Sequence, residues 1–303
     1  SGIEHHVSAD EYDLFTAQAN RNFFYLTGLR RDNMVLVLDK CVEPAKTMLF
    51  IEEADPTMER WYGRKVTMEE AEEISGIDEV EYIYELESTL DRIMTREDVY
   101  TAYFDTYRHQ KVDLPDYNVV KANEFKTDYP GVAVKNLFPL VAEERMQKDE
   151  DEIELTQKAI ALTKDGLCNV MANLKPGMKE YQTQADFEYI IRRGGAEWTA
   201  FPTIAGSGMN GTMLHYDTNR ETMEDGTLVL LDLGARIDGY NSDITRTYPV
   251  NGRFTERQKQ VYDIVLAANR KIVEVAKPGM TTKELNEVCK DVLADGLMIY
   301  SKS

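Results

Sequence analysis

Two aspartates on either side of a predicted turn are the residues of this chain best suited to bind a metal. Asp232 lies in an apolar run that begins at Leu228, and Asp243 follows eleven residues later, just before Ile244. The apolar run predicts a buried strand. An ionised carboxylate in such a strand is costly unless it is paired or bound to a metal. Carboxylate oxygens are hard ligands of the kind that hard divalent cations prefer.

The residues between the two aspartates predict a β-hairpin. Asp238 and Gly239 suit a two-residue turn, because glycine adopts positive φ without strain. In that register Asp232 pairs with Thr245. Since side chains alternate along a strand, Asp232 and Asp243 would be diagonal neighbours on one face, roughly 7–8 Å apart. Turn capping, solvated strand positions and chance spacing are the alternatives to a metal site.

A glycine-rich segment precedes this hairpin. Gly206–Gly211 matches G-x-G-x-x-G, and Asp232 follows about 20 residues later, as in dinucleotide-binding loops. Such a site also needs a helix that starts at the loop, but residues 212–219 have no helical apolar period. We therefore expect the glycines to form turns or to let the loop pass close to a substrate. His215, one of four histidines, is a candidate site residue here, with a hydrogen-bonded loop histidine as the alternative.

A short motif occurs twice and indicates an internal duplication. Lys175-Pro-Gly-Met178 recurs as Lys277-Pro-Gly-Met280, and each copy separates two predicted helices. Matched flanks favour a duplicated unit over coincidence. The first copy continues into the hairpin of Asp232, whereas the second is followed by few residues before Ser303. We expect the chain to lack about half of its second repeat.

The first half of the chain predicts an α/β unit that ends near Lys148. Strands are predicted at 33–38, 47–51 and 99–104, and a helix at 67–74 begins with a capping box of Thr67 and Glu70. The acidic run 149–152 suits the start of a helix. The helix that this run begins is predicted from apolar residues at helical spacing, namely Ile153, Ile160, Leu167, Val170 and Leu174. The predicted domains are therefore residues 1–147 and 148–303.

Composition excludes several partners. The 303-residue chain has a net charge of −19, which argues against binding nucleic acid or an anionic membrane. Cys41, Cys168 and Cys289 form no zinc motif and predict buried thiols in a reducing compartment, the cytoplasm. No apolar run has membrane length, and the N-terminus carries no signal-peptide pattern.

Several segments together carry a family resemblance. Residues 201–216, 225–235 and 239–252 resemble the Xaa-Pro aminopeptidases (aminopeptidase P), in the metallopeptidase family that includes prolidase and methionine aminopeptidase. Residues 20–28 and 61–64 resemble the N-terminal domain of aminopeptidase P and prolidase. The resemblance covers nearly the whole chain.

The resemblance implies an α/β chain with a creatinase/prolidase-like N-terminal domain and an incomplete pita-bread domain. It also implies two divalent metal ions, usually Mn²⁺, held by two Asp, one His and two Glu. Asp232 and Asp243 match the two Asp ligands, with Asp243 expected to bridge the ions. His215 matches the histidine that lines the substrate pocket. Trp61 matches a tryptophan that shapes a neighbouring subunit's site in homo-oligomers, so a dimer or tetramer is expected.

The implied activity is release of the N-terminal residue from peptides with proline second, by attack of a metal-bridging hydroxide. The family's ligating His and two Glu would lie beyond residue 303, so the 303-residue chain is expected to have little activity alone. Prolidase, which cleaves Xaa-Pro dipeptides, is one alternative. A non-catalytic pita-bread module that binds a peptide or protein is another.

Overall fold

The computed structural model describes residues 3–4, 18–31, 33–107 and 117–300 of the chain. The chain divides into two compact units, Ser1–Ile153 and Glu154–Ser303. The domain boundary predicted at residues 147 and 148 stays a prediction.

The first unit contains a three-stranded mixed sheet and a two-stranded parallel sheet. Its elements are, in chain order, β1 (Ile3–Glu4), β2 (Gln18–Ala19), α1 (Arg21–Thr27), β3 (Val35–Asp39), β4 (Lys46–Ile51), α2 (Pro56–Tyr62), α3 (Met68–Ser75), β5 (Glu79–Tyr82), α4 (Leu86–Met94), β6 (Thr101–Phe104), α5 (Tyr117–Asp128), β7 (Ala133–Asn136) and α6 (Phe138–Met146). Strand β4 pairs antiparallel with β3 and parallel with β5, and β6 pairs parallel with β7. The three predicted strands are present within two residues of their expected bounds. The helix predicted at 67–74 is also present, with its capping box of Thr67 and Glu70.

Strand β4 carries the core of this unit because both of its faces are covered. Leu49 and Ile51 belong to one apolar cluster, and Met48 and Phe50 belong to a second. A strand buried on both faces is typical of an α/β layer. The α/β class predicted from the sequence is confirmed.

The second unit combines two antiparallel sheets with two helix pairs. Its elements are α7 (Glu150–Asn173), which begins just before the division, α8 (Glu180–Arg193), β8 (Trp198–Thr199), β9 (Ile204–Ser207), a 3₁₀ turn (Gly208–Thr212), β10 (Leu228–Leu233), β11 (Ala235–Ile237), β12 (Tyr240–Asn241), β13 (Ile244–Pro249), α9 (Glu256–Val275) and α10 (Thr282–Tyr300). The strand orders are β13-β10-β9 and β12-β11-β8. No α-helix starts at the glycine-rich loop in the fully described stretch 204–227, as the sequence predicted.

One apolar face of β10 forms the centre of the second unit. Val229, Leu231 and Leu233 are fully buried, together with Phe187 and Ile191 of α8. The intervening positions of β10 are half-buried. The predicted buried strand is thus present, with one face fully buried and the other half-buried.

Helix α7 is present, and Leu167, Val170 and Leu174 of the predicted apolar series pack in the core. The first part of its buried face differs from that series. Ile153 and Ile160 are 46% and 44% exposed, whereas Ala159 and Thr163 are fully buried. Small residues form this first part of the buried face because α7 packs closely against its neighbours there. A Cβ on Gly166 would lie only 2.5 Å from the ring of Phe187 in α8.

The duplicated motif forms the same turn twice. Gly177 has φ 89° and Gly279 has φ 92°. In each copy the methionine N–H donates to the lysine carbonyl, over 3.4 Å for Met178 and 3.2 Å for Met280. Proline second and glycine third at positive φ is the pattern of a type II turn. The predicted repeat of helix, turn and helix is confirmed as α7–α8 and α9–α10.

The cysteines differ from expectation. Cys41 and Cys168 are exposed and Cys289 is half-buried, and all three are free thiols. The prediction of buried thiols is wrong, because Cys41 lies in the turn after β3 and Cys168 on an outer side of α7. Among the described residues, no helix combines the length and apolar character needed to cross a membrane.

Candidate metal centre and the His215 segment

Asp232 lies on the face of β10 that points away from the core. It pairs with Thr245 of β13, in the predicted register. The hydroxyl of Thr245 donates to Asp232 Oδ1 over 2.8 Å, which shows that both side chains are on the same face. Among the described residues, Oδ1 is the only oxygen of this carboxylate with a hydrogen-bond partner. Oδ2 is therefore available to a ligand.

Asp243 precedes β13 in a two-residue break after β12. Asp238 and Gly239 form the predicted turn, with φ 46° and 80°, as a type I′ hairpin turn requires. Ser242 is buried and Asp243 is exposed. Ile244 packs against the core, so the alternation places Asp243 on the face of Asp232. Asp243 was expected within a strand, but the structure places it in the break between β12 and β13.

A buried hydroxyl pair holds this break. Thr163 Oγ1 of α7 and Ser242 Oγ are 2.6 Å apart. The backbone N–H of Ala235 donates to both oxygens, over 2.9 Å each, and the N–H of Ser242 donates to the Ala235 carbonyl. The chain thus leaves regular strand pairing without leaving a buried N–H unsatisfied. The position of Asp243 depends on these contacts.

His215 lies in the segment that connects the 3₁₀ turn to β10, and its side chain is exposed. In the part of the chain that the structure describes, no three His, Cys, Asp or Glu side chains come together as a metal-binding group. His215 therefore does not join Asp232 and Asp243 in such a group. The expectation that it lines a substrate pocket stays a prediction.

Glu180 organises residues 207–221, which we call the His215 segment, although it was not among the candidates found from the sequence. It is fully buried at the first position of α8. Burial raises its pKa, but hydrogen bonds from Ser207, Tyr216 and Asn210 outweigh burial and hold the pKa below its ordinary value. Burial and the hydrogen bond to Glu180 raise the pKa of Tyr216, so the phenol stays a neutral donor.

The helical spacing of α8 could have revealed Glu180. Its buried residues are Glu180, Thr183, Phe187 and Ile191, which share one helix face. A carboxylate on the same face as Phe187 and Ile191 must find donors. Its donors lie 27 to 41 residues further along the chain.

Asn219 is a second buried anchor of the same segment. Its side-chain carbonyl accepts from the N–H of Ala205 over 2.9 Å. Its amide donates to the Thr203 carbonyl over 2.7 Å and to Gln184 over 3.0 Å. Asn219 has φ 49°, which asparagine tolerates better than most residues. The chain after His215 is thus fixed to both β9 and α8.

Trp61 belongs to the first unit, near the end of α2. Its side chain is 80% exposed, and that of the neighbouring Tyr62 is 79% exposed. The role expected for Trp61 stays a prediction.

The carboxylates present suit a divalent cation. Asp232 and Asp243 lie on one accessible face, and both are hard oxygen donors of the type that Mg²⁺ and Mn²⁺ prefer. The hairpin that holds them is anchored by the buried face of β10. The donor chemistry therefore fits a divalent metal ion.

Comparison with known proteins agrees with this donor chemistry. The model of metallopeptidase family M24 matches residues 154–302, and that of the aminopeptidase P N-terminal domain matches residues 2–103. The first match covers most of the unit that holds Asp232 and Asp243, and metallopeptidases are hydrolases that use divalent metal ions. The chain belongs to metallopeptidase family M24.

The individual relatives are aminopeptidases. The chain is 32% identical to the Xaa-Pro aminopeptidase of Escherichia coli K12 over 287 residues, which is 92% of this chain and 64% of that protein. A Bacillus anthracis structure assigned as an aminopeptidase P is 40% identical, with a TM-score of 0.92, over 99% of this chain and 71% of that one. A zinc-substituted E. coli aminopeptidase P in complex with product is 31% identical, with a TM-score of 0.83, over 98% and 68% of the two chains. The chain thus spans 64% of the full sequence of the E. coli K12 enzyme. It shares the pita-bread fold of these structures.

Proposed function

We propose that the protein is a metal-dependent aminopeptidase that releases the N-terminal residue from peptides with proline at the second position. The observation that carries this proposal is the pair Asp232 and Asp243 on one accessible face of the hairpin. Support also comes from the relatives, since one E. coli aminopeptidase P structure contains a product and another contains the inhibitor Pro-Leu.

We propose that Asp232 and Asp243 hold the metal, with Mn²⁺ as the preferred ion and Asp243 as the bridging ligand. Divalent ions bound here would lower the pKa of a water molecule and polarise the scissile carbonyl. The hydrogen bond from Thr245 orients the carboxylate of Asp232, as partners of metal ligands commonly do. The hydroxyl pair of Thr163 and Ser242 acts differently, since it binds the N–H of Ala235 and so holds the backbone next to Asp243.

The proposed role of His215 is to act on the transition state. A neutral imidazole can donate a hydrogen bond to the developing oxyanion or carry a proton to the leaving amine. The exposed position of His215 leaves it accessible to a peptide. Because an Xaa-Pro amide has no N–H, a pocket must recognise the proline ring by its shape.

We propose in addition that Trp61 contributes to the substrate site of a neighbouring subunit in a homo-oligomer. Its 80% exposure in the first unit supports an intermolecular role, because large exposed aromatics are enriched at interfaces. Trp61→Ala should raise KM and weaken the oligomer in sedimentation velocity. A monomeric wild-type protein would contradict this role.

The proposed compartment is the cytoplasm. Two exposed free thiols, Cys41 and Cys168, support a reducing environment, since oxidising compartments favour disulfides.

The test of the proposed function compares three substrates. The protein, both as the 303-residue chain and at the full length of its gene, is loaded with Mn²⁺ and given a peptide Xaa-Pro-Yaa, the matched Xaa-Ala-Yaa and the dipeptide Xaa-Pro. Release of the first residue from Xaa-Pro-Yaa alone supports the proposal. Cleavage confined to the dipeptide indicates a prolidase, and metal binding without cleavage at full length indicates a binding module. Comparison of the two lengths tests the expectation of little activity in the 303-residue chain.

Single substitutions test the role proposed for each residue. Asp243→Ala should abolish turnover and reduce bound Mn²⁺ measured by mass spectrometry. His215→Ala should lower kcat by about 10²–10⁴-fold, the range for a lost acid–base group, and leave the metal content intact. Asp291→Asn, an exposed change on α10, is the control for loss of carboxylate charge. Full activity in Asp243→Ala would refute the ligand assignment.

A further inference from the structure

The carboxylate of Glu180 is the convergence point of the His215 segment. Oε1 accepts the N–H of Ser207 over 2.8 Å, the hydroxyl of Ser207 over 2.7 Å and the amide of Asn210 over 3.1 Å. Oε2 accepts the hydroxyl of Tyr216 over 2.7 Å and the N–H of Glu221 over 3.0 Å. The donors thus lie at the start, in the middle and at the end of the His215 segment, residues 207–221.

All five of these donors are neutral groups. A fully buried carboxylate is held in its ionised form only by strong hydrogen bonds or a cation. Hydrogen bonds to a charged acceptor are shorter and stronger than those between neutral groups. Each contact with Glu180 therefore restrains the segment more than an ordinary loop hydrogen bond would.

The position of these contacts along the chain points to His215. Tyr216 follows it directly, and the Tyr216 hydroxyl also accepts the amide of Asn210 over 3.0 Å. Ser207, Asn210 and Glu221 line a surface concavity. The same residues that donate hydrogen bonds to Glu180 therefore also line this concavity.

We propose that Glu180 is a positioning residue, whose buried carboxylate fixes the His215 segment in the conformation that presents His215 to the substrate. This inference rests on the proposed function for the catalytic role of His215. Glu180 itself is fully buried, with no surface for a substrate to contact. Its effect on turnover passes through His215.

The main test is a double-mutant cycle in the full-length protein loaded with Mn²⁺. In Glu180→Gln an amide NH₂ group replaces one carboxylate oxygen and points at hydrogen-bond donors instead of accepting from them. We therefore expect kcat to fall by about tenfold or more, the factor for a lost hydrogen bond to a charge. KM and metal content should stay unchanged. In the His215→Ala background the same change should alter kcat by less than about twofold, because groups that act as a unit are not additive. An equal fall in both backgrounds, or loss of metal with the fall, would overturn the proposal.

A second measurement needs no activity. Amide hydrogen exchange of residues 208–221 should quicken by about tenfold or more in Glu180→Gln, as the segment opens locally. The control is Glu256→Gln, which changes the first residue of α9, where the side chain is exposed. It should leave exchange and kcat at the wild-type values. Unchanged exchange in Glu180→Gln would overturn the proposal.

One further variant and one wild-type measurement separate the possible outcomes. Tyr216→Phe removes one of the five contacts and should give a smaller change of the same kind, which decides the case if Glu180→Gln does not fold. If the wild-type protein releases nothing from Xaa-Pro-Yaa, the proposed function fails. The exchange experiment then decides the role of Glu180 alone.

Discussion

Gly234 has no room for a side chain at the point where β10 passes the break before Asp243. A Cβ at this position would lie 1.9 Å from the carbonyl oxygen of Ser242 and 3.0 Å from Ala200 Cβ. The clash is with backbone, which cannot rotate away. We expect Gly234→Ala to destabilise the protein by about 2–3 kcal/mol, the upper range for overpacking. Gly131→Ala, where no atom lies within 4 Å of the added Cβ, should be nearly neutral in urea unfolding, and an equal effect of both changes would contradict this reading.

Glu180 should make the protein acid-sensitive. Its pKa is lower in the folded protein than in the unfolded chain, so its contribution to stability is complete above the ordinary pKa of glutamate. That contribution is lost as pH falls through the lowered pKa. The stability difference between wild type and Glu180→Gln, measured by urea unfolding, should therefore be large at pH 7 and shrink below about pH 4. A constant difference across this range would show that the carboxylate is not ionised in the folded protein.

The two site features differ in how far the sequence predicted them. The pairing of Asp232 with Thr245 followed from local rules, because the turn of Asp238 and Gly239 sets the register of the whole hairpin. Glu180 was missed because its partners lie more than 25 residues away, and no local pattern links them. The carboxylates of Asp232 and Glu180 look alike in sequence, but only the fold makes one accessible and the other buried.

At the scale of elements, α7 supports the strand break through one hydroxyl. Ser242→Ala and Thr163→Val should each destabilise the protein by about 1 kcal/mol, as for one lost hydrogen bond. The double variant should cost more than the sum, because the buried N–H of Ala235 then loses both acceptors. Urea unfolding of the four proteins measures the coupling. Strict additivity would contradict a shared role of the two hydroxyls.

Helix α7 also marks where pattern reasoning failed. Its ends were predicted well because the acidic first turn and the following Lys-Pro-Gly-Met turn are strong local signals. The later part of its buried face, with Leu167 and Val170, was predicted correctly, but the earlier part was not, because large apolar residues were taken as core markers. Tight packing instead selected Ala159, Thr163 and Gly166, and left Ile160 exposed.

At the scale of the whole molecule, the second helix pair buries little of its surface among the described residues. In α9 only Ile264 and Ala268 are buried among its described residues, and Val265 and Val273 are 55% and 74% exposed. The first helix pair, by contrast, packs on the fully buried face of β10. Regions with few buried apolar contacts open at lower free energy than the core.

We therefore expect residues 256–300 to exchange their amide hydrogens faster than β9, β10 and β13 under native conditions. Gly296 of α10 offers a selective perturbation, because a Cβ there would lie 2.6 Å from Ile264 Cγ2 of α9. Gly296→Val should quicken exchange in 256–300 and leave β10 unchanged, since it separates the two helices without reaching the sheet. Val273→Ala, at an exposed position of the same pair, is the control and should change neither region. Equal protection of the helix pair and the sheet in the wild-type protein, measured by mass spectrometry, would mean that α9 and α10 unfold only together with the core.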